Sequence, residues 1–172
     1  MKNKKRLNYI ITGALIAAFY AALTFLFNVF GLSYGPIQFR ISEILTILPI
    51  FTPAAIPGLT IGCFIANIGS FNLLDMIFGT FATLAAALLT YAFRNIKFKG
   101  IPLLSMFMPV LFNSIIIGLE IAFFFLPQGF TLLGFAISAV EVGISEFIIC
   151  YALGIPFYLI VDKYLKKNNL RI

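Results

Sequence analysis

The chain reads as an all-α integral membrane protein with six transmembrane helices and cytoplasmic N- and C-termini. Two observations carry that expectation. Of 172 residues, 62% are hydrophobic and the mean hydropathy is +1.07, against roughly 45–50% apolar content in soluble domains. Apart from Arg40, the basic residues fall in three short blocks between apolar runs: Lys2 to Arg6, Arg94 to Lys99, and Lys163 to Arg171. A net charge of +6 arranged in this way is a topology signal, because basic connections stay on the cytoplasmic side. A transmembrane barrel would alternate apolar and polar positions, and these long apolar runs do not alternate.

The spans are expected at about 8–30, 39–52, 56–70, 75–93, 101–126 and 131–161, forming one domain over residues 1–172. The first is a retained helix rather than a secretory leader, since a leader's apolar core runs to only about 7–15 residues. Region 39–72 decides the count. As one helix it would be about 50 Å long, too long for a hydrocarbon core of about 30 Å. Pro49, Pro53 and Pro57 interrupt it, and proline is tolerated at helix ends far better than in their middles. Two short crossings also place all three basic blocks on one side, whereas a single crossing splits them. The connections on the other side are then about 31–38, 70–75 and 126–131.

This topology gathers the rare polar residues toward the outer half of the bundle. Gln38, Arg40 and Glu43 open the second span; Asn67 lies late in the third, and Asn72 and Asp75 flank the next outer turn. Asn113 and Glu120 are on the fifth span, Glu141 and the deeper Glu146 on the sixth. Charged side chains at membrane depth cost at least about 2.5–3.5 kcal/mol and normally face the bundle interior or a wet cavity. Asn113 and Glu120, seven apart, share a helical face, and Arg40 and Glu43, three apart, can pair. Glu141 and Glu146, five apart, point about 140° away from each other and serve different neighbours.

Plainer roles stand beside a ligand cavity. Arg40 and Glu43 can form an interfacial ion pair with Arg40 snorkelling to the headgroups. Asp75 can simply favour a helix N-terminus, and Asn67 and Asn113 can make ordinary interhelical hydrogen bonds. Glu120 and Glu141 are harder to explain so, because Arg40 is the one cation set against five acids on that side. Such a cavity suits a ligand with hydrogen-bond donors or positive charge. A planar base with amidine-like N–H groups would pair with a carboxylate through two charge-assisted bonds, with phenylalanine on its faces.

The residues also exclude activities. There is no GxxxxGK[ST] phosphate loop, no histidine, and no nucleophile–base constellation, so neither ATP hydrolysis by that loop, nor a cofactor or metal centre, nor other catalysis is expected. Cys63 and Cys150 sit inside apolar runs and imply no disulfide framework. An uptake role would need an ion gradient or a separate motor protein. On the first span, Ala14, Ala18 and Ala22 recur every fourth residue beside a second row, Ala17 and Ala21. Small residues at this spacing admit close helix approach, by a partner or within the chain.

Through almost its whole length the sequence resembles the QueT family of queuosine-precursor transporters, which are substrate-binding S components of energy-coupling factor (ECF) transporters. The resemblance rests on Pro36 to Pro49 (PIQFRISEILTILP), Ile56 to Asn67 (IPGLTIGCFIAN) and Leu74 to Leu84 (LDMIFGTFATL). Val110 to Asn113, Val142 to Glu146 and Leu153 to Pro156 also fit. It implies a six-helix bundle in the bacterial plasma membrane that captures a 7-deazaguanine base or related precursor on the outer side. It further implies partnership with a transmembrane coupling protein and two cytoplasmic ATPases, met through the alanine rows. The alternatives are an S component for another vitamin, a carrier driven by an ion gradient, and a membrane protein whose charges only specify packing.

Overall fold

The computed structural model describes residues 2–28, 40–70 and 72–168, and those residues are helical with short connections. Helix α1 spans Lys2–Asn28, a 3₁₀ helix Ile41–Ile50, α2 Ala55–Ile68, α3 Leu73–Ala92 and α4 Leu103–Phe124. The last span is α5 (Leu132–Phe147), a π-helical stretch (Ile148–Leu153) and α6 (Gly154–Lys167). Four helical runs are long and apolar enough to cross a membrane, and Ile41–Ile50 and Ala55–Ile68 are shorter apolar pieces. Two short apolar helices thus stand in region 39–72, where two short crossings are expected. The protein is a multi-pass membrane protein.

The first short crossing departs from an ordinary α-helix, and its sequence explains why. From Arg40 the chain reads RIS-EIL-TIL-PI, and in a 3₁₀ helix residues three apart eclipse. Three columns result: Arg40/Glu43/Thr46/Pro49, Ile41/Ile44/Ile47/Ile50, and Ser42/Leu45/Leu48. The first is mostly polar, the second entirely isoleucine. Pro49 lacks an N–H and would clash with a carbonyl four residues back in an α-helix. The Thr46 hydroxyl donates to the Glu43 carbonyl at 2.6 Å, closing the same three-residue step. At about 2.0 Å rise per residue, ten residues span about 20 Å, against about 15 Å as α-helix.

This segment is the axis of the bundle. Ser42, Glu43, Leu45, Thr46, Ile47, Pro49 and Ile50 are all buried. Leu45 packs with Ile16, Tyr20, Leu59 and Ala87, while Ile47 and Ile50 pack with Met106 and Tyr158. After a tight turn at residues 51–54, α2 begins with Pro57 in its first turn, where a missing N–H costs nothing.

Helices α1 and α2 run parallel in near-contact. A Cβ on Gly58 would lie 2.6 Å from the Gly13 carbonyl oxygen, and one on Gly62 would lie 2.9 Å from both the Ala17 carbonyl oxygen and the Tyr20 Cβ. Gly58 and Gly62 thus form a small-xxx-small seam against Gly13 and Ala17. Parallel packing of the first and third crossings requires the 3₁₀ helix to return between them.

Contacts at one end of the bundle place the basic blocks together. Tyr9 donates to the Pro53 carbonyl at 3.4 Å, Phe51 stacks on Tyr158 at 5.2 Å, and Tyr158 donates to the Gly100 carbonyl at 3.4 Å. The start of α1, the 94–102 connection and the cytoplasm-facing end of α6 thereby share an end, and its basic charge faces the cytoplasm. In the sixth span, Pro156 cannot donate back to Ala152, and the wide π turn ahead of it accommodates that loss.

The seam yields a stability test. Gly62→Val overpacks it and is expected to cost about 1–3 kcal/mol, read as a thermal midpoint several degrees lower in detergent. Ala22→Val, on the exposed side of α1, is expected to leave the midpoint unchanged.

Candidate functional site

The polar column of the 3₁₀ helix faces α3, α4 and α5. There Arg40, Glu43, Thr83, Asn113, Ser145 and Glu146 surround an inner pocket of about 20 Å³, room for about one water molecule. Glu43 is 2% exposed. One of its oxygens accepts a hydrogen bond from the Tyr20 hydroxyl; the other has no partner among the described residues. Arg40, also buried, acts on Glu43 electrostatically. Across the pocket Asn113 Nδ2 donates to Glu146 Oε1 at 2.9 Å. Behind Glu146, the Cys150 Sγ lies 3.8 Å from Oε2 and 3.9 Å from the Thr46 hydroxyl.

Toward the outer end lies a cavity of about 560 Å³, within the roughly 300–1,000 Å³ range of small-molecule sites. Three carboxylates line it: Asp75 from the first turn of α3, Glu120 from α4 and Glu141 from α5. Asn72, Gln128 and Ser138 add neutral polar groups, and no lysine or arginine is among its lining residues. Glu120 is 2% exposed, and among the described residues its carboxyl oxygens meet no side-chain donor other than the Asp75 carboxyl. Its charged neighbours are Asp75 and Arg40. Glu141 sits exposed at the rim. Ile117, one turn from Asn113 and nearly one from Glu120, lines both chambers and separates them.

Local structure fixes these positions. Asn72 caps α3, its side chain accepting from the Leu74 N–H at 3.0 Å, and this places Asp75 where the helix dipole favours a carboxylate. Thr131 caps α5 in the same way, accepting from the Gly134 N–H at 3.0 Å. A Cβ on Gly118 would meet Ala139 at 2.9 Å, and one on Gly143 would meet the Ser114 hydroxyl at 2.7 Å. These two glycines hold α4 and α5 close enough for Asn113 to reach Glu146.

The sequence-derived candidates therefore divide. Arg40, Glu43 and Asn113 belong to the inner pocket; Asn72, Asp75, Glu120 and Glu141 belong to the outer cavity, so one shared chamber becomes two that meet at Ile117. The expected divergence of Glu141 and Glu146 holds, one in each chamber. Asn67 lines neither: its amide donates to the Asp75 carbonyl at 2.9 Å and to Cys63, tying α2 to α3. Gln38 lies outside the described residues. On α1, Ala17 and Ala21 are buried within the bundle, Ala17 against the glycine seam, whereas Ala14, Ala18 and Ala22 are exposed. Among the described residues, Phe125 is the phenylalanine that lines the cavity; Phe30, Phe39 and Phe71 lie outside the described residues.

Tyr20, Thr83, Ser145 and Glu146 were not singled out as site residues from sequence. Tyr20 carries a legible signal, for it precedes Thr24 by one turn, and Thr24 donates to the Ser42 hydroxyl at 2.7 Å. Both side chains face the start of the 3₁₀ helix. The Tyr20–Glu43 bond predicts a non-additive pair. Tyr20→Phe alone is expected to lower the thermal midpoint, and combined with Glu43→Leu to show a coupling of about 0.5–3 kcal/mol in a double-mutant cycle.

Comparison with known proteins places the sequence. The family model described as QueT transporter matches residues 10–163. A curated relative, the queuosine precursor transporter QueT of Lactococcus lactis subsp. cremoris (strain MG1363), is 44% identical over 84 residues, a stretch covering 49% of each chain. The match thus spans about half of that relative's length. No solved structure gives a significant match.

Proposed function

The chain belongs to the QueT transporter family, and we propose that it is the substrate-binding membrane subunit for a queuosine precursor, a 7-deazaguanine base, taken up by an ECF-type importer. The observation that carries the reading is Glu120: a buried carboxyl that meets another carboxyl, Asp75, and no other side-chain donor among the described residues, on the wall of a cavity lined there by two further acids and no cation. A buried acceptor left unmet costs about 1–3 kcal/mol, more when charged. A base that presents adjacent N–H donors removes that cost through paired charge-assisted bonds. The name of the Lactococcus relative supplies the precursor class.

The substrate enters from the outer side, with its donor edge on Glu120 and with Asp75 and Glu141 supplying negative potential. The partners in this reading are a transmembrane coupling protein and two cytoplasmic ATPases. Of the two alanine rows, Ala14, Ala18 and Ala22 remain accessible to the coupling protein. No catalytic role is assigned to any residue.

Titration calorimetry of the protein purified in detergent tests the ligand. A 7-deazaguanine base is expected to bind, and Glu120→Gln to weaken it about tenfold or more, as loss of a charge-assisted hydrogen bond of about 1.5–3 kcal/mol implies. Glu43→Gln is expected to weaken it as well, while Asp162→Asn, paired with Lys166 in the exposed last turns of α6, leaves it unchanged. Absence of both binding heat and thermal stabilisation with every deazaguanine overturns the assignment.

Uptake assays test the energy source. Accumulation is expected only in a host that supplies the coupling protein and ATPases. Uptake that persists without them and follows an ion gradient makes the protein a stand-alone carrier.

A further inference from the structure

At the cytoplasmic end a second open groove, about 460 Å³, lies between the 94–102 connection, the start of α4 and the π-helical stretch. Ile96 and Phe98 come from the connection, Leu104 and Phe107 from α4, Tyr151 from the π stretch, and Lys97 supplies its only charge. Phe98 is 64% exposed and Ile96 54%. These large apolar side chains sit on a connection, outside any helix. The connection is nonetheless rigid. Phe98 and Ile101 exchange backbone hydrogen bonds of 2.9 and 3.0 Å, around Lys99 and Gly100 at φ 49° and 85°, the geometry of a two-residue hairpin turn. Tyr151 is pinned by its hydroxyl, which donates to the Leu103 carbonyl at 2.9 Å.

We propose that this groove seats one anionic phospholipid of the cytoplasmic leaflet, its headgroup on Lys97 and an acyl chain along Leu104, Phe107 and Tyr151. Order along the groove matches a lipid: the cation is on the connection, at headgroup depth, and Phe107 is one turn into α4, toward the hydrocarbon. Phe147, stacked on Tyr151 at 4.4 Å and itself exposed, continues the apolar wall deeper.

Charge complementarity sets the sign. Arg94, Lys97 and Lys99 stand within six residues, and no acid occurs between Asp75 and Glu120. Lys97 has no carboxylate partner among the described residues, because the ion pair at this end joins Lys166 to Asp162 at 2.6 Å. Arg94 is held back, its guanidinium 3.6 Å over the Tyr91 ring and donating to the Tyr91 carbonyl. Lys97 lines the groove, its ammonium at a looser 5.9 Å from the Tyr158 ring centroid, and is the cation presented to it. Basic pockets between helices on the cytoplasmic side are where anionic headgroups bind. This inference does not depend on the ligand of the outer cavity.

The test uses the full chain in nanodiscs of mixed phosphatidylcholine and phosphatidylglycerol, with native mass spectrometry of the lipid retained after release into detergent. Phosphatidylglycerol is expected to be retained preferentially. Lys97→Gln should reduce that retention about fivefold, the change that about 1 kcal/mol per lysine near an anionic surface corresponds to. Lys5→Gln, on α1 and away from the groove, should not alter it. A photoreactive group replacing Phe98 should capture phospholipid in native membranes. Equal retention of the two lipids, or equal loss in the Lys5 and Lys97 variants, overturns the proposal. Capture of protein without phospholipid also overturns it and makes the groove a protein docking surface.

Discussion

The fold depends on one constraint: a ten-residue segment carrying a carboxylate must cross the middle of an apolar bundle. Glu43 is almost fully buried on that segment, and a buried charge is tolerated only where donors and opposite charge are fixed around it. Its neighbours are arranged accordingly. The glycine seam of α2 draws α1 close, and that closeness sets Tyr20 against Glu43. Arg40 lies one 3₁₀ turn away, and Asn113 holds the second buried acid, Glu146, on the far wall. Packing of small residues and placement of polar groups are one device here, since the hydrogen bond exists only if the backbones approach.

The same arrangement accounts for two chambers of different character. The inner pocket is small, and each of its acids is met from within, Glu43 by Tyr20 and Glu146 by Asn113. In the outer cavity Asp75, Glu120 and Glu141 have no basic side chain among them in the described residues, and the buried Glu120 carboxyl meets that of Asp75. Ile117 stands between the two chambers, so that a ligand in the outer cavity sits against the wall of the inner one.

Much of this was legible in the sequence. An all-helical membrane bundle and a shared end for the start of α1, the 94–102 connection and α6 followed from hydropathy and charge parity, because both are set by the bilayer rather than by tertiary detail. Asp75, Glu120 and Glu141 were legible as a group, since acids at membrane depth need a common wet face. The division at Ile117 was not, because an apolar wall between polar chambers leaves no mark in composition. Asn67 looked like a site residue from its depth alone, yet its amide is directed to the Asp75 carbonyl by α2–α3 packing. Ala17 and Ala18 are adjacent members of two identical rows, and only the position of Gly58 and Gly62 decides which row faces inward.

The 3₁₀ form of residues 41–50 leaves its mark in the sequence as a period of three, distinct from the 3.6 and 2 of α-helix and strand. Its pattern also explains why so unusual a length persists. Isolated 3₁₀ helices rarely exceed three or four residues, their hydrogen bonds being poorer than those of an α-helix. Rewound as α-helix, residues three apart would lie 60° out of line, and the polar column would fan out across 120° between Arg40 and Thr46. Thr46 would then leave Cys150, and the isoleucine column would leave Met106 and Tyr158. The polar column lines the pocket formed by α3, α4 and α5 with Glu43 also reaching Tyr20 of α1, Leu45 and Ile44 pack in the α1–α2 cluster, and Ile47 and Ile50 pack against Met106 of α4 and Tyr158 of α6. The segment is held in the weaker helix because only a threefold helix presents a polar face to one neighbour and two apolar faces to the others. The surrounding bundle thereby sets the direction of Arg40 and Glu43, and with it the floor of the site.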